Sequence, residues 1–247
     1  MRNYELEVIN RVRFIQDVLS AAETGGVVYG NSGGKDSTLV GILCKLACDN
    51  TVGIVMPCGS RRGYEEDKND AEEVAHQFDI TTRLLDLSAM RDSMTSTLCD
   101  ITELTASALS NMAPRLRMMA LYAVATSEHR LVAGTGNRSE AYMGYFTKWG
   151  DGAYDFNPIA DLTVLEIFEF LRFLDAPSSI VMKAPSAGLF DGQTDETEMG
   201  ISYQSIDQFL LHGMADEEER AVMERFHKGS EHKRQPPVVY AEDTANQ

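Results

Sequence analysis

Near its N-terminus the chain reads Gly26-Val27-Val28-Tyr29-Gly30-Asn31-Ser32-Gly33-Gly34-Lys35-Asp36-Ser37-Thr38. The first four residues form a short apolar run that ends at a glycine-rich turn, a pattern typical of a buried strand. Residues 37–46 follow with the apolar pattern of a helix. The stretch therefore predicts a strand, a loop and a helix in succession.

The loop between this strand and helix has the chemistry of a phosphate-binding site. Glycines at positions 30, 33 and 34 let the backbone approach an anion, and Ser32, Ser37 and Thr38 offer hydroxyls where the helix begins. A Walker loop would need Gly at position 29 and Ser or Thr at position 36, where Tyr29 and Asp36 stand. The GxGxxG pattern does not fit either.

Asp36 is the informative residue of this loop. A carboxylate among bound phosphates repels them unless a divalent cation lies between. We therefore predict Mg²⁺ at Asp36. The alternative is that a Gly-Gly turn followed by Asp simply caps a helix.

The rest of the chain continues the alternation of strands and helices. Apolar runs predict further strands at 52–56, 82–86 and 131–134, and helical patterns cover 4–19, 65–78 and a long span from about 90 to 129. This order favours an α/β fold with a doubly wound, mostly parallel sheet, in which the loops after Tyr29, Met56 and Gly134 converge on one site. Residues 184–202, rich in Pro, Gly, Asp and Thr, predict a long mobile loop over that site. We expect one domain over 1–247.

Composition limits the class of partner and the compartment. The formal net charge of -16 argues against a nucleic-acid partner, because phosphate backbones are bound mainly by clustered Lys and Arg. No apolar run approaches the roughly 18 residues of a spanning helix, and the N-terminus lacks the pattern of a signal peptide. We expect a soluble, cytoplasmic protein without a membrane partner, whose four cysteines stay reduced.

The SGGxDS pattern at 32–37 resembles the pyrophosphate loop of the N-type ATP pyrophosphatases, which transfer AMP from ATP to a substrate. Segments 134–140, 144–155 and 231–237 resemble the NAD synthetases within that superfamily, as do 184–189 and 192–196. The resemblance implies a Rossmann-like fold and ATP-dependent amidation of deamido-NAD to NAD through an adenylated nicotinate. It also implies a homodimer with the dinucleotide near the subunit interface. Because the strand and helix pattern leaves no room for a glutaminase domain, we expect free ammonia as the nitrogen source.

The resemblance also implies roles for individual residues. It assigns Asp36 and Glu140 to Mg²⁺, and we predict Asp151 to orient or deprotonate the incoming nitrogen. The expected ATP-binding residues are Gly30, Asn31, Ser32, Gly33, Gly34, Lys35, Asp36, Ser37, Thr135 and Ser186. The expected contacts to deamido-NAD are Arg115, Tyr122, Tyr145, Lys148, Asp155, His232 and Lys233.

Taken without the resemblance, several of these residues have plainer interpretations. Glu140 alone would be a surface residue at a helix start, Tyr122 and Tyr145 core aromatics, and His232 part of a solvated tail at 231–237. A functional tail would have to fold back over a site.

The match departs from the family at Val164, where the NAD synthetases usually carry a Lys that reaches an ATP phosphate. Lys35 or Lys183 are the candidates to supply that charge. Two alternative functions stay open: another adenylating member of the superfamily, amide-forming or RNA-thiolating, and a nucleotide sensor without turnover.

Overall fold

The computed structural model describes residues 2–59, 64–182 and 195–240, and of residues 64–67 only the backbone. The strands are β1 (Val27–Gly30), β2 (Thr51–Val55), β3 (Thr81–Leu84) and β4 (Leu131–Ala133). The helices are α1 (Tyr4–Ala21), α2 (Lys35–Ala47), α3 (Tyr64–Gln77), α4 (Ser88–Cys99), α5 (Ala106–Glu128), α6 (Arg138–Met143), α7 (Val164–Phe173), α8 (Ser178–Val181), α9 (Asp195–Met199), α10 (Tyr203–His212), α11 (Glu217–Gly229) and α12 (Glu231–Arg234).

The four strands form one parallel sheet in the order β3-β2-β1-β4. The chain adds β2 and β3 on one side of β1 and then returns to place β4 on the other side. The strand order therefore reverses between β1 and β4, and ligands of such sheets bind at this point beyond the carboxyl ends of the strands. The predicted α/β fold and parallel sheet are confirmed, with each strand within two residues of its predicted bounds.

Helices cover both faces of the sheet. Val27 and Tyr29 point into an apolar cluster with α1, α2 and α7, whereas Val28 points into a cluster with α5. Alternate residues of a strand face opposite sides, so a strand buried on both faces reads as a continuous apolar run. The core thus holds β1, and with it the loop that follows, from both sides.

Two predicted elements differ from the structure. The helical span from 90 to 129 is two helices, because Thr105 begins α5 by accepting a hydrogen bond from the Ala108 N–H. The prediction of a mobile loop at 184–202 is wrong for its last part. Residues 195–199 form α9, whose acidic first turn suits a helix N-terminus and whose Met199 is buried. Residues 184–194 lie outside the described part of the chain.

Within the described residues, no helix combines the length and the apolar character that a membrane span requires.

Close packing between α2 and β1 makes Gly41→Ala a destabilising change. A Cβ atom at position 41 would lie closer than 3.0 Å to the hydroxyl of Tyr29, a fully buried side chain. We expect the overpacking to outweigh the better helix propensity of Ala and to lower the free energy of unfolding by about 1–2 kcal/mol. Urea denaturation measures the change. Gly229→Ala, in α11 where an added Cβ meets open space, is the control and should not lose stability.

Candidate active site

The loop after β1 presents its backbone to the end of the sheet. Gly33 has a φ of +70°, a conformation that favours glycine. Its N–H donates to Asn31 Oδ1 at 3.3 Å, and the Ser32 N–H donates to Ser37 Oγ at 3.3 Å. Helix α2 begins after Gly34, which has no side chain to cap it. The N–H groups of its first turn therefore point toward the site and can bind an anion.

Asp36 and Glu140 are brought together by Asn137. The Asn137 side chain donates to Asp36 Oδ1 at 3.1 Å, and its backbone N–H donates to Glu140 Oε2 at 3.1 Å. Asn137 also caps α6 through a reciprocal capping box with Glu140. Asn137 thus joins the loop after β4 to the loop at residues 30–37, called here the phosphate loop. The sequence interpretation gave Asn137 no role, although Asn137 and Glu140, three residues apart, are the signal of a capping box.

Lys35 lies between the two carboxylates. Its Nζ atom is 2.7 Å from Asp36 Oδ2 and 3.9 Å from Glu140 Oε1, and the side chain is buried. Burial opposes the ammonium charge, but Asp36 and Glu140 outweigh it, and the pKa of Lys35 is raised. The ring of Tyr203, whose hydroxyl donates to Asp195 at 3.0 Å, lies 5.7 Å from the Nζ atom. Sequence reasoning missed both Tyr203 and Asp195 as neighbours of the site.

The donor set at this point fits Mg²⁺. Burial, and then the nearby charge of Asp36, raise the pKa of Glu140 well above its ordinary value. A divalent cation would offset that accumulated negative charge. Among the described residues, no cluster of three or more acidic, His or Cys side chains suits a metal. Mg²⁺ commonly takes one or two carboxylates and completes its shell with water and substrate phosphates, so a pair of carboxylates is sufficient.

Thr135 lies beside this cluster in the loop after β4. The loop is held by Gly134, whose N–H donates to Phe156 O at 2.8 Å, and by Asn157, which donates to Gly136 O at 2.8 Å. Thr135 is half-buried, a position from which its hydroxyl can reach a ligand at the end of the sheet. Ser186, the remaining residue predicted to bind ATP, and Lys183 lie outside the described residues.

A second group of predicted residues lies at the other end of α6. Lys233 donates from Nζ to Gly144 O and Phe146 O, both at 2.8 Å, and Lys148 donates to the backbone oxygen of His232 at 2.5 Å. The guanidinium of Arg115 is 3.4 Å from the oxygen of Lys148. The segment at 231–234 is therefore helical and folds back onto the loop after α6, which excludes a disordered tail there.

Asp151 belongs to the same group. It accepts a hydrogen bond from the Thr147 N–H at 2.9 Å. The residue as a whole is exposed, yet enough protein surrounds its carboxyl group that lost hydration raises its pKa, although Lys233 favours the anion. Burial in turn lowers the pKa of Lys233, and Asp151 opposes that shift. Asp151 and Lys233 are thus an acid and an amine that influence each other and whose pKa values are both shifted.

The remaining predicted substrate residues separate into two places. The Tyr122 hydroxyl lies 3.3 Å from Asp155 Oδ1, and Asp155 Oδ2 accepts from the Val132 N–H in β4 at 2.7 Å. The Tyr145 hydroxyl instead donates to Glu198 of α9. Neither tyrosine is fully buried, so neither is a simple core aromatic.

The side chain of Val164 is buried in an apolar cluster with Met199 and Tyr203, at the N-terminus of α7. Its N–H donates to Ser139 Oγ at 3.3 Å, and the next N–H, of Leu165, donates to the buried Asp207 at 2.8 Å. The first turn of α7 is therefore already capped from within the protein. Position 164 therefore holds an apolar side chain packed in the core, where the family usually has a lysine that reaches an ATP phosphate.

Helix α6 joins these two groups. Its N-terminal side carries Asn137 and Glu140 beside the phosphate loop, and its C-terminal side ends at Gly144, which Lys233 contacts. Six helical residues span about 9 Å. One short helix away from the two carboxylates lies a basic cluster of Arg115, Lys148, His232 and Lys233. A phosphate loop at the switch point of a parallel sheet, two facing carboxylates and this basic cluster define a nucleotide-binding α/β protein.

Comparison with known proteins narrows this class. The family model described as NAD synthase matches residues 7–237. The chain belongs to the NAD synthase family, whose members are ligases with ATP as co-substrate.

Individual relatives match over nearly the whole chain. The NH(3)-dependent NAD(+) synthetase of Carboxydothermus hydrogenoformans is 42% identical over 96% of this chain and 98% of its own length. The structure of NMN synthetase from Francisella tularensis has a TM-score of 0.91 and 34% identity, covering 97% of this chain and 99% of that chain. The NH3-dependent NAD synthetase from Campylobacter jejuni, solved with nitrate, has a TM-score of 0.81 and 26% identity over 98% and 100%.

Proposed function

We propose that the protein amidates deamido-NAD to NAD, with ammonia as the nitrogen source and ATP converted to AMP and pyrophosphate. The observation that carries this proposal is the position of α6 between the phosphate loop and the basic cluster. One end of the helix faces the loop that would bind ATP, and the other faces the loop and tail that would hold the substrate. The relatives named as ammonia-dependent NAD synthetases support the same reaction.

The first half of the reaction is the transfer of AMP. The nicotinate carboxylate attacks the α-phosphorus of ATP, and pyrophosphate leaves. The backbone N–H groups of residues 30–37 and the hydroxyls of Ser32, Ser37 and Thr135 bind the phosphates and hold them in line for attack. Mg²⁺ held by Asp36 and Glu140 would lower the electrostatic cost of bringing a carboxylate and triphosphate together.

The second half is the attack of ammonia on the acyl adenylate, with AMP as the leaving group. Asp151, which accepts a hydrogen bond from the Thr147 N–H, would orient the nitrogen or accept its proton. Arg115, Lys148, His232 and Lys233 form the basic cluster that would bind the substrate's phosphates, and Asp155 with Tyr122 would contact a ribose or the ring. Water must be kept from the adenylate during this step.

The proposed homodimer has support on the surface of the chain. Helix α4 buries none of its residues, although it carries Met90 and Met94, and Ile101 in the following turn is 79% exposed. Met112 and Leu116 of the neighbouring α5 do enter the core. The apolar residues of the 88–128 region therefore divide between the core and an uncovered face that a second subunit would bury. The dimer and the cytoplasmic location stay predictions.

A mononucleotide is a second candidate substrate. The Francisella tularensis structure, which matches this chain over nearly its full length, is an NMN synthetase. Its product contains one nucleotide, so the corresponding substrate would be nicotinate mononucleotide. The acidic net charge still argues against RNA as the substrate.

The decisive assay follows NAD and AMP from purified protein, ATP, Mg²⁺, deamido-NAD and ammonium. We expect both products in equal amounts, and little NAD when glutamine replaces ammonium. A parallel reaction uses nicotinate mononucleotide, and a higher kcat/KM for it would transfer the assignment to the second candidate. Absence of both amides would contradict the proposal and favour a nucleotide sensor.

A further inference from the structure

Lys35 and Asp36 are neighbours in sequence at the start of α2, yet their charged ends meet. Successive residues of a helix point about 100° apart and do not normally contact each other. Here the Lys35 ammonium turns back to lie 2.7 Å from Asp36 Oδ2 and also comes within 3.9 Å of Glu140 Oε1. The side chain is directed at the pair of carboxylates rather than at solvent.

The burial of Lys35 supports the same interpretation. A lysine is almost never fully buried unless it is paired, because its ammonium is strongly hydrated in water. Lys35 is 8% exposed, and its partner carboxylates are themselves part-buried. Lys45, further along α2, pairs instead with Asp49 and Asp79, whose side chains are almost fully exposed. The same helix thus carries one lysine that pairs with two exposed surface carboxylates and one lysine that is buried.

The position of this cation is the position that a metal would need. Mg²⁺ binds oxygen at about 2.1 Å, so an ion shared by Asp36 and Glu140 must lie between their facing oxygens. The Lys35 nitrogen already lies within contact range of both. Two cations in that space would repel each other strongly, because Coulomb energies rise steeply at separations of 4 Å or less within a protein.

We propose that the Lys35 ammonium is a resident cation that holds Asp36 and Glu140 in place without metal and must leave when Mg²⁺ binds. This inference rests on the proposed metal site. Since Lys35 belongs to the loop that would surround the phosphates, the displaced ammonium pairs with the triphosphate, and the protein therefore takes up Mg²⁺ together with the nucleotide rather than before it. Lys35 is thus a positioning residue for the metal and a phosphate contact in the loaded state.

The test measures Mg²⁺ binding by calorimetry in the absence of any nucleotide. Lys35→Met keeps the length of the side chain and removes its charge. We expect Lys35→Met to bind Mg²⁺ at least about tenfold more tightly than the unaltered protein, because both the competitor and the repulsion are gone. Lys45→Met, the same change on the same helix, should bind as the unaltered protein does. Lys35→Met/Asp36→Asn should lose the gain.

Two further measurements guard against a folding defect. Lys35→Met should have a lower melting temperature than the unaltered protein without Mg²⁺, and Mg²⁺ should restore it, because two uncompensated carboxylates then face each other. Lys35→Arg keeps a cation and should bind Mg²⁺ as weakly as the unaltered protein. In the presence of Mg²⁺, Lys35→Met should raise the KM for ATP.

Equal Mg²⁺ affinity in Lys35→Met and the unaltered protein overturns the inference. So does a gain that survives in Lys35→Met/Asp36→Asn, since the metal would then lie elsewhere. Neither result depends on which substrate is amidated, because no substrate is present. Failure of the proposed function appears instead as absence of amide product in the assay described above.

Discussion

Asp36→Asn is expected to reduce AMP formation by at least about a hundredfold while leaving the fold intact. The change removes the charge that would hold Mg²⁺ beside the triphosphate, and metal ions supply several kcal/mol of charge stabilisation in such reactions. Asparagine keeps an oxygen for the hydrogen bond from the Asn137 side chain, so the loop and α6 should stay joined. The measurement is the initial rate of AMP release at saturating ATP and deamido-NAD.

The matched control for this prediction is Asp49→Asn. Asp49 pairs with Lys45 at 3.6 Å, and its side chain is 100% exposed, so the same chemical change there should leave the rate unaltered. Circular dichroism and thermal unfolding report whether either variant has lost its fold. A folded Asp36→Asn protein that releases AMP at the full rate would refute the metal role of Asp36.

Asp151→Asn is expected to separate the two halves of the reaction. About one equivalent of pyrophosphate per active site should still be released, because the nicotinate carboxylate attacks ATP without giving a proton to a base. NAD formation should fall by roughly 10²–10⁴, the range of a general base. The Asn oxygen can still accept the Thr147 N–H, so a purely structural role would leave NAD formation nearly unchanged. The ratio of NAD to pyrophosphate within a single turnover is therefore the measurement.

The pH dependence gives a second readout for Asp151. If the carboxylate accepts a proton from the incoming nitrogen, raising the pH supplies more free ammonia and should partly restore NAD formation in Asp151→Asn. Asp17→Asn, an exposed position on α1, should match the unaltered protein at every pH. An unchanged product ratio in Asp151→Asn would remove the residue from the chemistry.

The sheet could be predicted because its strands are buried on both faces. The run ending at Tyr29 is apolar throughout, and the glycine-rich turn after it marks where it ends. The phosphate-binding chemistry of the loop could also be predicted. Glycine is favoured where φ is positive, as at Gly33, and the Asp36 carboxylate would repel bound phosphates unless a cation lay between them. These are local properties, and a local sequence pattern carries them.

The arrangement around the loop depends on residues far apart in sequence and could not be read in the same way. Tyr203 and Asp195 approach Lys35 only because α9 and α10 pack onto α7 through Val164 and Met199. The helical pattern gave no sign of the break at residues 100–105, which a single capping threonine produces. Burial of the Lys35 ammonium is likewise a result of tertiary packing, since a lysine at the start of a helix normally reaches water.

Because Lys233 lies near the C-terminal end of the described chain, its contacts form late when the protein is synthesised. Ribosomes add residues one after another, and domains begin to fold as the chain emerges. All four strands and the phosphate loop are complete by residue 133, a full 100 residues before Lys233 is added. A chain cut after α11 would keep its sheet and its nucleotide loop but would lack the residues that close the basic cluster. We therefore expect proteolysis in this short segment to lower the enzyme's activity while leaving its core folded.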